Sequence, residues 1–143
     1  MVDLTIYFFC VNRDIRRNNP LSILRGMLTL LLTKMPGLIK HLLATYNIQG
    51  ARLFEQNSFE SLWAIFLDVV NDTGIRRVSC IIDGLDECEP TPELEGFLTK
   101  IKTLPTAAPR LGLIAVSHEY PKCLHMALGR SPRIRLDPDH GPK

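Results

Sequence analysis

Asp83, Asp86 and Glu87 follow directly on the apolar run Val78-Ser79-Cys80-Ile81-Ile82. A buried strand that brings one carboxylate to a sheet edge, with further carboxylates close behind, suits nucleotide hydrolysis. In that chemistry Asp83 holds magnesium through water, while Asp86 or Glu87 polarises the attacking water. The same residues also fit a plainer arrangement, because Asp-Gly after a strand is an ordinary turn and acidic residues there often only cap the next helix. On pattern alone both readings stay open.

The other reactive side chains point to less. Cys10, Cys80, Cys88 and Cys123 contain no C-x-x-C pair, which fits buried thiols better than a zinc site or a disulfide frame. Cys88 stands beside two carboxylates, which predicts a raised thiol pKa and argues against a nucleophile. His41, His118, His125 and His140 are too scattered to form a metal cluster. Trp63 lies on an amphipathic stripe and reads as core. Arg76, Arg77, Arg130, Arg133 and Arg135 read as solvated strand ends rather than a nucleic-acid surface.

The elements that must position these residues can be laid out from periodicity. Leu4 to Cys10 is short, apolar and aromatic, as expected of a strand buried on both faces of a parallel sheet. Asn19-Pro20 sets a helix start, with Leu21, Leu24, Leu28 and Leu31 at helical spacing and an end near Met35-Pro36-Gly37. A shorter helix is expected to about Tyr46. Asn57 with Glu60 three residues on fits a capping box for a helix with the stripe Phe59, Leu62, Trp63, Phe66, Val69 and Val70. After Thr73-Gly74 and the exposed pair Arg76-Arg77 comes the strand Val78 to Asp83. Thr91-Pro92 opens a helix that a proline-flanked loop, Pro105 to Pro109, closes. A strand from Leu111 to Ser117, a short helix from Pro121 to Leu128 and a weak strand, Arg133 to Leu136, complete the alternation, with residues 137–143 as a tail.

Strands joined by helical crossovers predict an α/β fold, a mainly parallel sheet with helices on both faces and ligands beyond the carboxyl ends of the strands. The chain has 143 residues, 45% of them hydrophobic, enough for one modest core and too few for two. A net charge of +2 excludes a concentrated basic surface. Neither a signal peptide nor an apolar run approaching a membrane span is present in these residues, so a soluble, reducing, cytoplasmic setting is expected, with no nucleic-acid or membrane partner.

The run Ile81-Ile82-Asp83-Gly84-Leu85-Asp86-Glu87-Cys88 resembles the extended Walker B motif of NACHT domains. Tyr7-Phe8-Phe9-Cys10, Ile23-Leu24-Arg25-Gly26 and Leu113-Ile114-Ala115-Val116-Ser117 occur in the order seen in NACHT domains of fungal NOD-like and vegetative-incompatibility proteins, and in the related nephrocystin-like N-terminal domain. The resemblance covers residues 4 to 136 and implies a partial P-loop NTPase fold of the STAND class spanning residues 1–136. It implies ATP or GTP with magnesium as ligands, Asp83 as the magnesium-side residue, Asp86 and Glu87 as catalytic residues, and Ser117 and His118 at the nucleotide. It also implies sensor repeats and effector domains as partners outside these residues, with self-association among the states open to the family.

Two departures qualify that implication. No G-x-x-x-x-G-K-[ST] phosphate loop occurs in these 143 residues. The first strand here resembles the family's second, so the opening strand, loop and helix are expected upstream of Met1, in a longer parent chain or lost. The usual Ser-Arg after the fourth family strand reads Ser117-His118, replacing a fixed guanidinium with a mostly neutral imidazole. The family sheet order predicts that strands Leu111–Ser117, Val78–Asp83 and Leu4–Cys10 pair in that order, that one edge stays open, and that stability is low. Three functions follow: a nucleotide-switched signalling module that cannot bind nucleotide by itself, a non-catalytic remnant or interaction module, and a metal-dependent phosphohydrolase.

Overall fold

A computed structural model describes residues 1–117. Its sheet contains β1 (Val2–Phe9), β2 (Ile75–Asp83) and β3 (Leu111–Val116), all parallel, in the spatial order β1-β2-β3. This is the expected strand order, within the expected α/β architecture. The helices are α1 (Pro20–Lys34), α2 (Lys40–Gln49), α3 (Phe59–Val70) and α4 (Pro92–Ala107).

Local chemistry sets the ends of α1 and α4. The Asn19 side chain accepts from the Ser22 amide at 2.9 Å and the Thr91 hydroxyl accepts from the Leu94 amide at 3.3 Å, each just before a proline that starts the helix. Helix α1 stops at Lys34, where Met35 precedes Pro36 and is steered away from helical geometry. Helix α4 continues through Pro105 to Ala107, one turn beyond the expected closure, because proline's missing N–H removes one bond while Ala108 still bonds Leu104 O at 2.8 Å.

Three other expectations are corrected. Helix α3 begins at Phe59, and the capping box from Asn57 does not form: residues 56–58 make a 3-10 turn, Ser58 turns its hydroxyl to Arg52 O, and Glu60 pairs instead with Lys100. Helix α2 runs to Gln49, beyond Tyr46. Arg76 and Arg77 lie inside β2 rather than before it, with Arg76 paired to Asp3 across the strand pair.

In register, Leu4, Val78 and Leu111 share one face with Ile6, Cys80, Leu113, Phe8 and Ile82. Helices α1, α3 and α4 assemble over that face. Ile23, Leu24, Leu28 and Leu31 of α1 meet Leu62, Phe66 and Val69 of α3 and Leu94, Phe97 and Leu98 of α4 in one buried cluster. Each such side chain contributes about 1.5–3 kcal/mol on burial. Trp63 is core, 6% exposed, with its ring against Phe59, Phe66 and Phe97. Gly26 allows α1 to lie on β1, since a Cβ there would stand 2.4 Å from the Phe8 ring.

The strands are not buried on both faces by the described residues. Thr5, Tyr7, Phe9, Ser79, Ile81, Asp83, Ile114 and Val116 occupy the second face, where Phe9 is 55% and Ile114 58% exposed. The topology explains this: both crossovers step the same way across the sheet, and right-handed connections then put their helices on one side. Among the described residues β3 pairs only with β2, so its other edge is open. The expected helix at 121–128, strand at 133–136 and tail at 137–143 lie outside the described residues.

Candidate functional site

Strand β2 is central, and its last residue, Asp83, reaches the carboxyl end of the sheet. The chain then turns sharply. Gly84 takes φ 72°, in the left-handed region that favours glycine, and a Cβ there would meet Cys10 O at 3.0 Å. Its amide continues the ladder to Val116 O at 2.8 Å, and the Cys10 amide bonds Asp83 O at 2.8 Å. A 3-10 turn, Leu85–Glu87, follows, fastened at both ends by the buried side chains of Leu85 and Cys88. Asp86 and Glu87 sit half-buried between these anchors.

Asp83 is half-buried, and Tyr7 Oη donates to its Oδ2 at 2.8 Å. The carboxylate holds the phenol proton, so the Tyr7 pKa is pushed above its ordinary value. Glu87 Oε2 accepts from the Asn12 amide at 3.2 Å. Ser117 is exposed and lies one residue past Val116, the register partner of Asp83. The fold therefore gathers Asp83, Asp86, Glu87 and Ser117 at one end of the sheet; His118 lies outside the described residues.

Sequence reasoning missed Tyr7, Asn12 and Cys10. Tyr7 and Asp83 lie 76 residues apart, but the signal was present: a tyrosine two residues before the end of an apolar strand points to the same face as that end. The Cys88 expectation is also corrected. The nearby Cys10 thiol lowers the Cys88 pKa against the opposing effects of burial, Asp86 and Glu87. The Cys10 thiol is pushed up in turn, by Cys88 and by burial. Cys80 is separate, hydrogen-bonded to Met27 Sδ and raised to about 12 by burial.

The donor chemistry suits a hard cation held by a single water-mediated contact. Asp83 presents carboxylate oxygen at the carboxyl end of the sheet, and magnesium keeps most of its waters when bound by one or two carboxylates. It does not suit a closed protein cage, since no group of three His, Cys, Asp or Glu converges among the described residues. No helix among the described residues is long and apolar enough to cross a membrane.

Comparison with known proteins bears out the resemblance read from the sequence. Vegetative incompatibility protein HET-E-1 of Podospora anserina is 38% identical over 99 residues, 68% of this chain and 7% of its own length. The chain thus spans a small fraction of the curated relative it matches. No solved structure matches. The profile described as Nephrocystin 3, N-terminal, covers residues 2–118, and the chain belongs to that family.

Proposed function

We propose that the chain is the carboxylate half of a nucleotide-switched signalling module of the NACHT and NOD-like kind. It works in the cytoplasm with sensor repeats and effector segments outside these residues. Asp83 faces magnesium through water, Asp86 and Glu87 orient and polarise the attacking water, and Ser117 with His118 lies near the nucleotide. Magnesium, with ATP or GTP, supplies the positive charge that offsets the phosphates. The observation that carries this reading is Asp83 at the carboxyl end of the central strand, with one side-chain hydrogen bond from Tyr7 among the described residues. Membership of the Nephrocystin 3, N-terminal, family and likeness to a vegetative incompatibility protein support the signalling role.

The module is incomplete without a phosphate loop, which these residues lack. Calorimetry of the chain with ATP or GTP and magnesium is expected to show no binding; micromolar binding lost in Asp83→Ala would overturn that. Joined to an upstream segment carrying G-x-x-x-x-G-K-[ST], the chain is expected to bind nucleotide with magnesium and to lose binding in Asp83→Asn. Binding indifferent to Asp83 would overturn the role given to this residue.

A second reading, a non-catalytic interaction module, draws on the exposed apolar side chains Phe9, Ile114 and Val116 on the second sheet face. A metal-dependent phosphohydrolase has the least support, because such sites need further converging ligands.

A further inference from the structure

Successive residues of a strand point to opposite faces, yet Arg76 and Arg77 of β2 are both exposed. The register gives the reason. Val2 stands opposite Ile75 and Asp3 opposite Arg77, so Arg76 is an extra residue in β2, and a bulge of this kind re-aims a side chain. Ile75 and Val78, three residues apart, are in consequence both fully buried, and the two arginines between them are left on the outside. With Asp3 of β1, Arg110, and Gly112 of β3 they line a basin of about 580 Å³ at the amino end of the sheet.

The three arginines are held in different ways. Arg76 grips Asp3, Nε donating to Oδ1 at 2.9 Å and Nη2 to Oδ2, with the same fork that a guanidinium offers to a phosphate. Arg110 is fixed through Nη1, which donates to the Ile75 and Asp72 carbonyls at 2.9 and 3.1 Å. Arg77 makes no hydrogen bond to a described residue, and its Nη2 lies 3.6 Å from where a Cβ on Gly112 would stand, so the floor beside it carries no side chain. Among the lining residues, three guanidiniums against the one carboxylate of Asp3 leave two positive charges in excess. Guanidiniums already fixed in place lose little freedom when an anion arrives.

We propose that this basin binds a phosphate monoester dianion, with Arg77 and Arg110 taking the phosphate oxygens and Asp3 holding Arg76 at the rim, where its charge limits the affinity. A phosphate monoester brings the matching charge near neutral pH and three strong acceptor oxygens. The site lies at the opposite end of the sheet from Asp83, and it stands whether or not the nucleotide role proposed there does.

The test titrates the full, isotopically labelled chain at constant ionic strength with inorganic phosphate and, separately, with a short phosphoserine peptide, reading backbone and arginine N–H shifts by nuclear magnetic resonance. Saturable shifts at Arg77, Arg110 and Gly112 are expected. Equal affinity for the two probes gives a site for a small phosphate, and tighter binding of the peptide gives a site for a phosphorylated partner. Arg77→Gln is expected to weaken binding about tenfold, the loss of a charge-assisted hydrogen bond. Arg16→Gln, which removes the same charge from the loop after β1 at the other end of the sheet, should change little, and Asp3→Asn should tighten binding several-fold. Binding should also weaken below about pH 6, where phosphate loses its second charge. Shifts that never saturate, or that the unphosphorylated peptide reproduces, would overturn the proposal. So would equal weakening by Arg77→Gln and Arg16→Gln, which is general charge screening. Saturation is read on the unsubstituted chain, so it decides the matter even if a variant does not fold.

Discussion

The two ends of the sheet each hold a carboxylate, and they hold it in opposite ways. At the amino end, Asp72 is buried, its side chain 6% exposed, with Lys40 Nζ at 3.0 Å, His41 Nε2 at 2.7 Å and the Gly74 amide at 2.7 Å. Arg110 reaches the Asp72 and Ile75 carbonyls beside it. At the carboxyl end, Asp83 has the Tyr7 hydroxyl as its side-chain partner, and the turn around it is fastened by backbone, through the Gly84–Val116 and Cys10–Asp83 bonds. A carboxylate surrounded by donors is a strut. One whose surroundings are secured by backbone keeps lone pairs for something else, and it stands where parallel sheets bind ligands.

The largest expected effect separates the strut from the site. Asp72→Ala leaves Lys40, His41 and the Gly74 amide without their shared acceptor, and is expected to cost about 3 kcal/mol in chemical denaturation. Asp83→Ala removes one hydrogen bond from a half-buried phenol and is expected to cost about 1 kcal/mol or less. Equal costs would break the comparison.

The same contrast has a pH signature. Hydrogen bonds from His41, then Gly74 and Lys40, hold the Asp72 carboxyl well below the usual range. A depressed folded-state pKa contributes stability above the unfolded value near pH 4, lost as pH falls below it. The stability gap between the unsubstituted chain and Asp72→Asn is therefore expected to be about 2 kcal/mol at neutral pH and to shrink below about pH 4. A gap unchanged down to about pH 3 would show that packing, rather than charge, makes Asp72 a strut.

Gly84→Ala addresses the backbone that secures the other end. An L side chain at φ 72°, against Cys10 O at 3.0 Å, is expected to cost about 1–2 kcal/mol by thermal melting. Gly96, exposed on α4 with open space around it, should instead gain up to about 1 kcal/mol on Gly→Ala substitution. If both changes behaved alike, the carboxyl end would not be held by its turn.

What was legible in the sequence follows from how local each feature is. The caps Asn19-Pro20 and Thr91-Pro92 act within one helical turn, so residue type and spacing found them. The strand ending in Asp83 and the β1-β2-β3 order were legible from the apolar runs together with the family motif. Asn57 failed because a capping residue competes with whatever turn precedes it, and Ser58 found a better partner in Arg52 O. Among the described residues only one strand face is covered by helices, because composition shows that a strand is apolar, while topology decides which face the helices reach. The Asp72 cluster joins residues distant in sequence that no local pattern marks, whereas for the Tyr7–Asp83 bond strand alternation gives the face of Tyr7 but not its partner.

The smallest effect is also the most specific. The Tyr7 hydroxyl donates to Asp83, and its pKa is raised because losing the phenol proton would break that bond and set two negative charges together. Replacing Asp83 with Asn preserves shape and removes the charge. The Tyr7 pKa should then fall toward about 10, the ordinary tyrosine value, with little change in thermal midpoint. Near-ultraviolet titration reads it, with Tyr7→Phe identifying the component among the three tyrosines. If the Tyr7 component did not move, the hydrogen bond would not be formed in solution, and Asp83 would be as free of side-chain partners as the comparison allows. If it moved together with a large loss of stability, Asp83 would be a strut after all, and the two ends of the sheet would differ only in which side chains surround their carboxylates.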